Sequence, residues 1–463
     1  MSTAERYDHF DDQGPECAED FRDHFDYDPL ADRDLEQEEK DALGTAERPR
    51  LAVVSSAPGD WPTLAPAALH GLAGEVVRTI EPVTEADPAG LLADFLVCFG
   101  NAAGSRPHAI ADGARHPARL SVVLTGRSSK ARKGTSRAQI NPLFVTADPK
   151  WTADRIMGGL STGEGLIATV ADPLPAEGDN APPAPVDKRL LIVEPEFARP
   201  LAAAKRDGST LSHIVRDAWD SGDLRVMTRK DPLKATGAHI SLVGHVTADE
   251  LRRTLTSTDQ VNGFANRLLF VCVTRSKLLP AGGGLTAEAQ QALGQKVKTA
   301  LTRARGIDRL TRTPEAERLW ADLYREMAEN DPAGMVGHVT GRAEAQTLRL
   351  SVAYAILDGS PVIDVCHLDA AYAFWRYCEA SAGYLFGETL GDEVADRLLA
   401  AVRAAGPDGL DGTQQRDLFS GHVSADRLEA ARQLLGDARL AVTTTEPTAG
   451  RPRIRTVAKG TKA

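Results

Sequence analysis

The segment Gly126-Arg-Ser-Ser-Lys-Ala-Arg-Lys133-Gly134-Thr135-Ser136 carries the residue types of a phosphate cradle. Backbone amides at a helix start point at an anion, a Lys adds a point charge, and a Thr or Ser hydroxyl can reach Mg²⁺. Gly126, Lys130, Arg132, Lys133, Gly134, Thr135 and Ser136 are therefore candidate nucleotide-binding residues, and Thr135 is also a candidate metal ligand. The match to GxxxxGK[ST] is imperfect. Lys133 stands seven steps from Gly126 where the motif has six, Arg132 occupies the second Gly, and Gly134 separates Lys133 from Thr135. Five bases (Arg127, Lys130, Arg132, Lys133, Arg137) crowd the loop with no acid among them. The same composition suits a basic surface loop that touches nucleic-acid phosphates, and the residues alone leave both readings open.

Three further sites carry acids or polar groups at strand ends. LLIV runs into Glu194-Pro-Glu196, where one carboxylate could hold Mg²⁺ through water and the other orient an attacking water. ISLVG runs into His245-Val-Thr247, polar residues where a sheet edge would line a ligand crevice, or a hydrogen-bonded strand-end histidine. Asn262-Gly-Phe-Ala-Asn266-Arg267 puts a guanidinium at the start of the next apolar run. Arg267 could neutralise transition-state charge in a neighbouring subunit's site, or pair with a carboxylate for structural reasons. A second glycine cluster, Gly158 to Gly165, has the cradle spacing but Glu164 in place of Lys; a carboxylate there repels phosphate. It reads as a tight loop placing Ser161, Thr162 and Glu164 near a site, or as a helix-capping turn. Trp219 to Arg225, with Thr228-Arg229-Lys230 after it, suits an exposed binding loop, with packing of Trp219 as the alternative.

The elements that must position these residues are legible in the hydrophobic pattern. RLSVVLTG (119–126), RLLIVEP (189–195), HISLVGHV (239–246) and RLLFVCV (267–273) are short β-branched runs separated by long connections, which predicts a parallel sheet in an α/β layer fold. Before them, three-to-four spacing predicts a helical entry segment over 51–117. The sheet core spans 118–284. From 285 to 392 the pattern is helical, with helices expected at 286–304, 314–329, 342–357 and about 367–386. The last segment, 393–463, reads helix, short helix, turn, helix and hairpin, the order of a winged helix-turn-helix. Its tail holds Arg451, Arg453, Arg455, Lys459 and Lys462 and no acid after Glu446, so the hairpin could lie along phosphates. Arg427 and Arg432 fall on its recognition-helix candidate, beside Asp426 and Glu429.

The 463 residues carry 65 Asp+Glu against 54 Lys+Arg, a formal net charge of −11. Residues 1–50 alone hold 17 of the acids and 6 of the bases, so the remainder is balanced and the acidic total does not exclude nucleic acid. That arm has no sustained apolar periodicity and is expected to be disordered. Five scattered Cys (Cys17, Cys98, Cys272, Cys366, Cys378) form no disulfide framework, and with no CxxC pair zinc is not expected. No secretory signal is visible, and the longest apolar stretches, such as Leu91–Phe99, are about half the roughly 18 residues a membrane span needs. A cytoplasmic protein with no membrane partner is the expectation.

Taken in order, VVLTGRSSKARKGTS, GGLSTGEGLI, LLIVEPEFA, WDSGDLR, ISLVGHVTADELRR and NGFANRLLFV resemble the uncharacterised RecA-like, helicase-like proteins of phages and integrated elements. The similarity is to their actinobacterial branch, whose members often sit beside primase–polymerase genes, and it covers about residues 60–395. It implies a RecA-like NTPase core with ATP and Mg²⁺ as ligands. Lys133 and Thr135 match the P-loop Lys and hydroxyl, Glu164 the acid after it, and Glu194 and Glu196 the Walker B acids, with Glu194 for the usual Asp. His245 matches the sensor position and Arg267 the arginine finger. DNA, as a single strand or a replication fork, a homo-oligomer and a primase–polymerase partner follow as expectations, as does a role in replication of a mobile element. The alternative is a non-catalytic DNA-binding or loading factor on a degenerate ATPase scaffold.

Overall fold

The four apolar runs and one short edge strand make a single sheet: β1 (Ser121–Gly126), β2 (Ile156–Met157), β3 (Arg189–Glu194), β4 (His239–Thr247) and β5 (Leu269–Cys272). In the computed structural model every pairing is parallel and the order is β2-β3-β4-β1-β5. The structure describes residues 61–173, 186–227, 233–255, 263–330, 332, 334–387, 390, 392–438, 440–447 and 452–459, all within the unit 52–463. The acidic arm of 1–50, Thr228–Lys230 and Arg451 lie outside the described residues. Successive strand residues point to opposite faces, and β1 and β5 are buried at every position, so helices cover both faces. The chain is thus α/β, with a five-stranded, all-parallel sheet flanked by helices.

The helix α1 (Pro88–Ala103) is capped by Asp87, whose side chain accepts from Ala89 N, and it is buried around its whole circumference. It packs on the sheet, and its one buried amide, Asn101, is fully used. Nδ2 donates to Leu190 O and His239 O at 3.0 Å each, and Oδ1 accepts from Trp151 Nε1 at 3.0 Å. Against α1 packs α2 (Lys133–Ala147), which follows β1. Around the other strands stand α3 (Gly163–Thr169), α4 (Leu211–Asp220) and α5 (Ala248–Thr254), with Leu166, Ile214 and Leu251 in a common core with Leu190, Leu242 and Phe270.

The expected helices after residue 285 form at 287–306, 314–329, 343–357 (α6) and 365–386 (α7). They do not stand apart from the sheet: Leu385 and Phe386 of α7 join its core, with Phe386 edge-on to Phe270 at 5.2 Å. Several small pairings escaped the pattern. Residues 108–117, expected to be helical, form an antiparallel hairpin closed by Asp112 and Gly113, both at positive φ. Leu224–Val226 and Leu233–Ala235 make another. Each strand has three or four residues, too few for a periodicity of two to stand out.

Residues 393–458 build a separate apolar cluster around Leu398, Leu399, Leu428 and Leu435. Its helices are Glu393–Ala404, Gly412–Asp417 and Ala425–Asp437, the last capped by Ser424. The hairpin Ala441–Glu446 with Arg453–Ala458 gains a third, antiparallel strand from Leu410–Asp411, inside what the sequence presents as a turn. Among the described residues no helix is long and apolar enough to cross a membrane.

Candidate functional site: a loop, a lysine and two strand-end acids

β1 ends at Gly126, and the loop that follows turns back so tightly that a Cβ at Gly126 would lie 2.3 Å from that of Ala131. Only glycine fits this approach. Ser128 Oγ accepts from Lys130 N at 3.2 Å to hold the turn at 129–131. Arg132 then adopts φ 56°, ψ 32°, the left-handed region where the cradle motif has its second Gly, and α2 starts at Lys133. The extra loop residue is absorbed in this turn, and Lys133 and Thr135 still stand in the first turn of α2. Lys133 Nζ donates to Ser128 O at 3.1 Å, so the ammonium folds back over the loop. Burial pulls the lysine below its ordinary pKa, opposed by the Glu250 carboxylate of α5. Gly134 is exposed and faces His245, whose Cε1 would be 4.0 Å from a Cβ there.

The five bases of the loop are not a bare positive patch. Arg132 pairs with Glu85 at 2.8 Å, and Arg127 donates from Nε to the Tyr384 hydroxyl at 2.8 Å. Arg137 is turned inward to Cys98 Sγ and Asn141. These partners weigh against the loop being an open phosphate-backbone contact. Ser136 is also turned inward: it is 2% exposed and donates from Oγ to Asp94 Oδ2 at 2.5 Å, so it is not placed to meet a nucleotide. Lys130 is exposed.

Asp94, on α1, is fully buried, and burial raises its pKa from 3.8 to about 6, against the opposing pull of Arg137 and Ser136. Between about pH 4 and 6 the native state therefore holds a proton that the unfolded chain has released, and stability falls as pH rises through that window. The cost above pH 6 is about 3 kcal/mol. Asp94→Asn keeps an acceptor for Ser136 and removes the charge. Thermal melts from pH 4 to 7 should show the variant gaining on wild type toward pH 7; parallel curves would refute the assignment.

On the far side of β4 from the loop stands Glu194, at the end of β3 and level with Gly244 and, one strand further, Val123. The carboxylate is 6% exposed, and Oε1 accepts from Leu160 N at 2.5 Å, inside the glycine loop between β2 and α3. Phe197 then folds back over Gly244: its N donates to His245 O at 2.9 Å, and a Cβ at Gly244 would lie 2.6 Å from its ring. Glu196 is left exposed at this bend. His245, at 6% exposure, faces Gly134 with Nε2 enclosed and without a hydrogen-bond partner; burial and then Lys133 and Arg137 lower its pKa to about 4. It is a neutral imidazole at neutral pH.

Glu164 accepts from Thr210 Oγ1 at 2.9 Å, and Thr162 caps α3, so the glycine cluster is a helix-capping turn. It also lines a groove of about 160 Å³ with Leu190 and Ile192 at the β2–β3 edge. Arg267 stands at the opposite end of the sheet from the loop, roughly 20 Å away along β5. Both its Nε and Nη2 donate to Asp220, at 3.1 and 2.6 Å, and it is 6% exposed: a carboxylate-paired residue and not a projecting one. Trp219 is likewise buried, under the guanidinium of Arg349 at 3.5 Å from its ring centroid.

In the C-terminal cluster Arg427 pairs with Asp392 at 2.5 Å, and Arg432, 8% exposed, bonds Gln415 Oε1 and Glu429. Arg453 pairs with Asp411 at 2.8 Å and Arg455 donates to Asp408 O. Away from the loop, His70, Cys366 and His367 bring ligand atoms within 4.8 Å of one another. His70 and His367 both reach Asp358 Oδ2, at 2.8 and 3.2 Å, while His367 Nδ1 accepts from Asp364 N. That last bond leaves the proton on His367 Nε2, so this ring has no lone pair for a metal.

The structure therefore brings together Gly126, Lys133, Gly134, Thr135 and His245, with Glu194 two strands along, and separates them from Arg267. Sequence reading missed Glu250, although Thr247-Ala-Asp-Glu250 directly after a strand is the pattern of a helix cap that fixes where the glutamate stands. No protein-family model matches the chain, and no curated protein matches it.

Proposed function

We propose that the chain is a nucleic-acid-associated ATPase, helicase-like and RecA-like in its core, working in replication of a phage or mobile element. The observation that carries this reading is the placement of Lys133 at the start of the helix after β1, with Glu194 and Glu196 at the end of β3, two positions away in an all-parallel sheet. Ligands in open parallel sheets bind outside the carboxyl ends of the strands, and all three residues lie there. The first amides of α2 and the Lys133 ammonium would take the phosphates of ATP, displacing the bond to Ser128 O. Thr135, in the first turn of α2, and Glu194 offer the oxygen donors that suit Mg²⁺, which would supply charge neutralisation at the phosphates. Glu196, exposed beside them, is the residue available to orient water. Arg267 has no part in this reading, because Asp220 already neutralises it.

The order helix, short strand, two helices and hairpin over 393–458, with the short strand paired to the last one, supports a winged helix as the DNA-contacting unit. Its basic hairpin, and not Arg427 or Arg432, is the surface to test. A second reading, a DNA-binding or loading factor without turnover, is favoured by one observation: Glu194 is already engaged by Leu160 N. ATPase rate with and without single-stranded DNA decides between them. Glu194→Gln should reduce the stimulated rate about 100-fold while ATP with Mg²⁺ still raises the melting temperature. Wild-type activity at background, with no shift from ATP, would defeat the enzyme reading.

A further inference from the structure

Beside the loop stands a group of side chains that phosphate chemistry does not use. Trp61 and Tyr384 meet edge to face, ring centroids 5.1 Å apart, and the Arg127 guanidinium lies over both, at 5.5 Å from the Trp61 ring and 5.6 Å from the Tyr384 ring. Arg127 is exposed, and both rings are half-buried. The residues come from three distant parts of the chain. Trp61 lies ahead of the short turn Pro66–Ala68, Arg127 is the first residue after β1, and Tyr384 stands near the end of α7, where Arg252 of α5 donates to the carbonyls of Leu385 and Tyr384.

Their side of the loop matters. β1 is flanked by β4 and then β3 on one side and by β5 on the other. Glu194 is on the β3 side. α7 is fastened to β5: Ser381 Oγ accepts from Cys272 N at 3.1 Å, and the Tyr377 hydroxyl donates to Cys272 O at 2.6 Å. A nucleotide whose terminal phosphate points toward the acids therefore carries its base toward the aromatic pair. A planar, delocalised, cationic group already lies over these rings, and an aromatic base is the other kind of group that such faces accept.

We infer that Trp61, Tyr384 and Arg127 form the nucleobase platform of this site, so that it takes a nucleoside triphosphate and not bare polyphosphate. The inference rests on the nucleotide reading above and names the part of the ligand that reading leaves open. The base stacks on the Trp61 ring, taking the place over the pair that the Arg127 guanidinium now holds, and the phosphates extend across the start of α2.

Titration calorimetry of the full chain with ATP and with inorganic tripolyphosphate, both with Mg²⁺, tests this. Wild type should bind ATP more tightly than tripolyphosphate. Trp61→Ala should weaken ATP about tenfold or more, the usual worth of one aromatic–base stack, and leave tripolyphosphate unchanged. The unchanged arm also certifies the fold of the variant, and Trp61→Phe should recover most of the loss. Equal weakening of both ligands, or of neither, overturns the platform while leaving nucleotide binding intact. If wild type binds neither ligand, the nucleotide reading falls and the platform falls with it.

Discussion

Replacing Lys133 by Ala should abolish DNA-stimulated ATP hydrolysis, lowering the rate by a factor of about 100 to 1,000. The ammonium stands at the first residue of α2, half-buried, and among the described residues it donates to a loop carbonyl that a phosphate would replace. Arg132 and Arg137 flank it in sequence but are committed to Glu85 and to Cys98 with Asn141, so neither can substitute. Deleting one exposed-side bond costs the fold little, on the order of 1 kcal/mol. The variant should therefore melt near wild type while losing activity. Equal, background rates in both proteins would remove Lys133 from any catalytic role and favour the loading-factor reading.

The largest stability effect is expected at a residue with no chemistry at all. Asn101 is fully buried, and its side chain holds α1 to the carbonyls of two sheet residues, Leu190 and His239, and to the Trp151 indole. Asn101→Ala removes three buried hydrogen bonds worth about 1 kcal/mol each, and it leaves the Trp151 N–H without this acceptor in a dry interior, while the two carbonyls keep their places in the parallel ladder. A total loss of about 3 kcal/mol or more should lower the melting midpoint by roughly 6 °C, at the 2 °C per kcal/mol of a large domain. Denaturant titration with unchanged m-value would measure the same loss directly. A change below about 1 kcal/mol would mean that water fills the gap and satisfies all three groups.

The sheet was legible because its strands are nearly all apolar, buried on both faces and separated by long connections, as a parallel sheet requires. The hairpin at 108–117 and the strand at Leu410–Asp411 were not, because two to four residues carry no measurable period. At the site, the strand–loop–helix grammar placed Gly126, Lys133 and Thr135 correctly relative to the sheet. Side-chain direction was another matter. Ser136 lies one residue beyond Thr135, and on a helix that step of about 100° turns it from the loop into the α1 interface. Arg267 illustrates a second limit: its partner Asp220 is 47 residues away, and only the fold brings the two together. The aromatic pair at Arg127 joins residues more than 300 positions apart, beyond any local pattern.

The bond from Leu160 N to the Glu194 carboxylate has a practical consequence. An amide proton held by a buried carboxylate exchanges slowly with solvent, and it exchanges faster when that carboxylate is drawn to another donor. Leu160 sits in the glycine turn at the sheet edge, outside the loop after β1, so its exchange rate is a spectator of what happens at Glu194. Occupancy of the strand-end acid can thus be followed residue by residue in deuterated solvent, with no turnover, no coupled assay and no substitution in the protein.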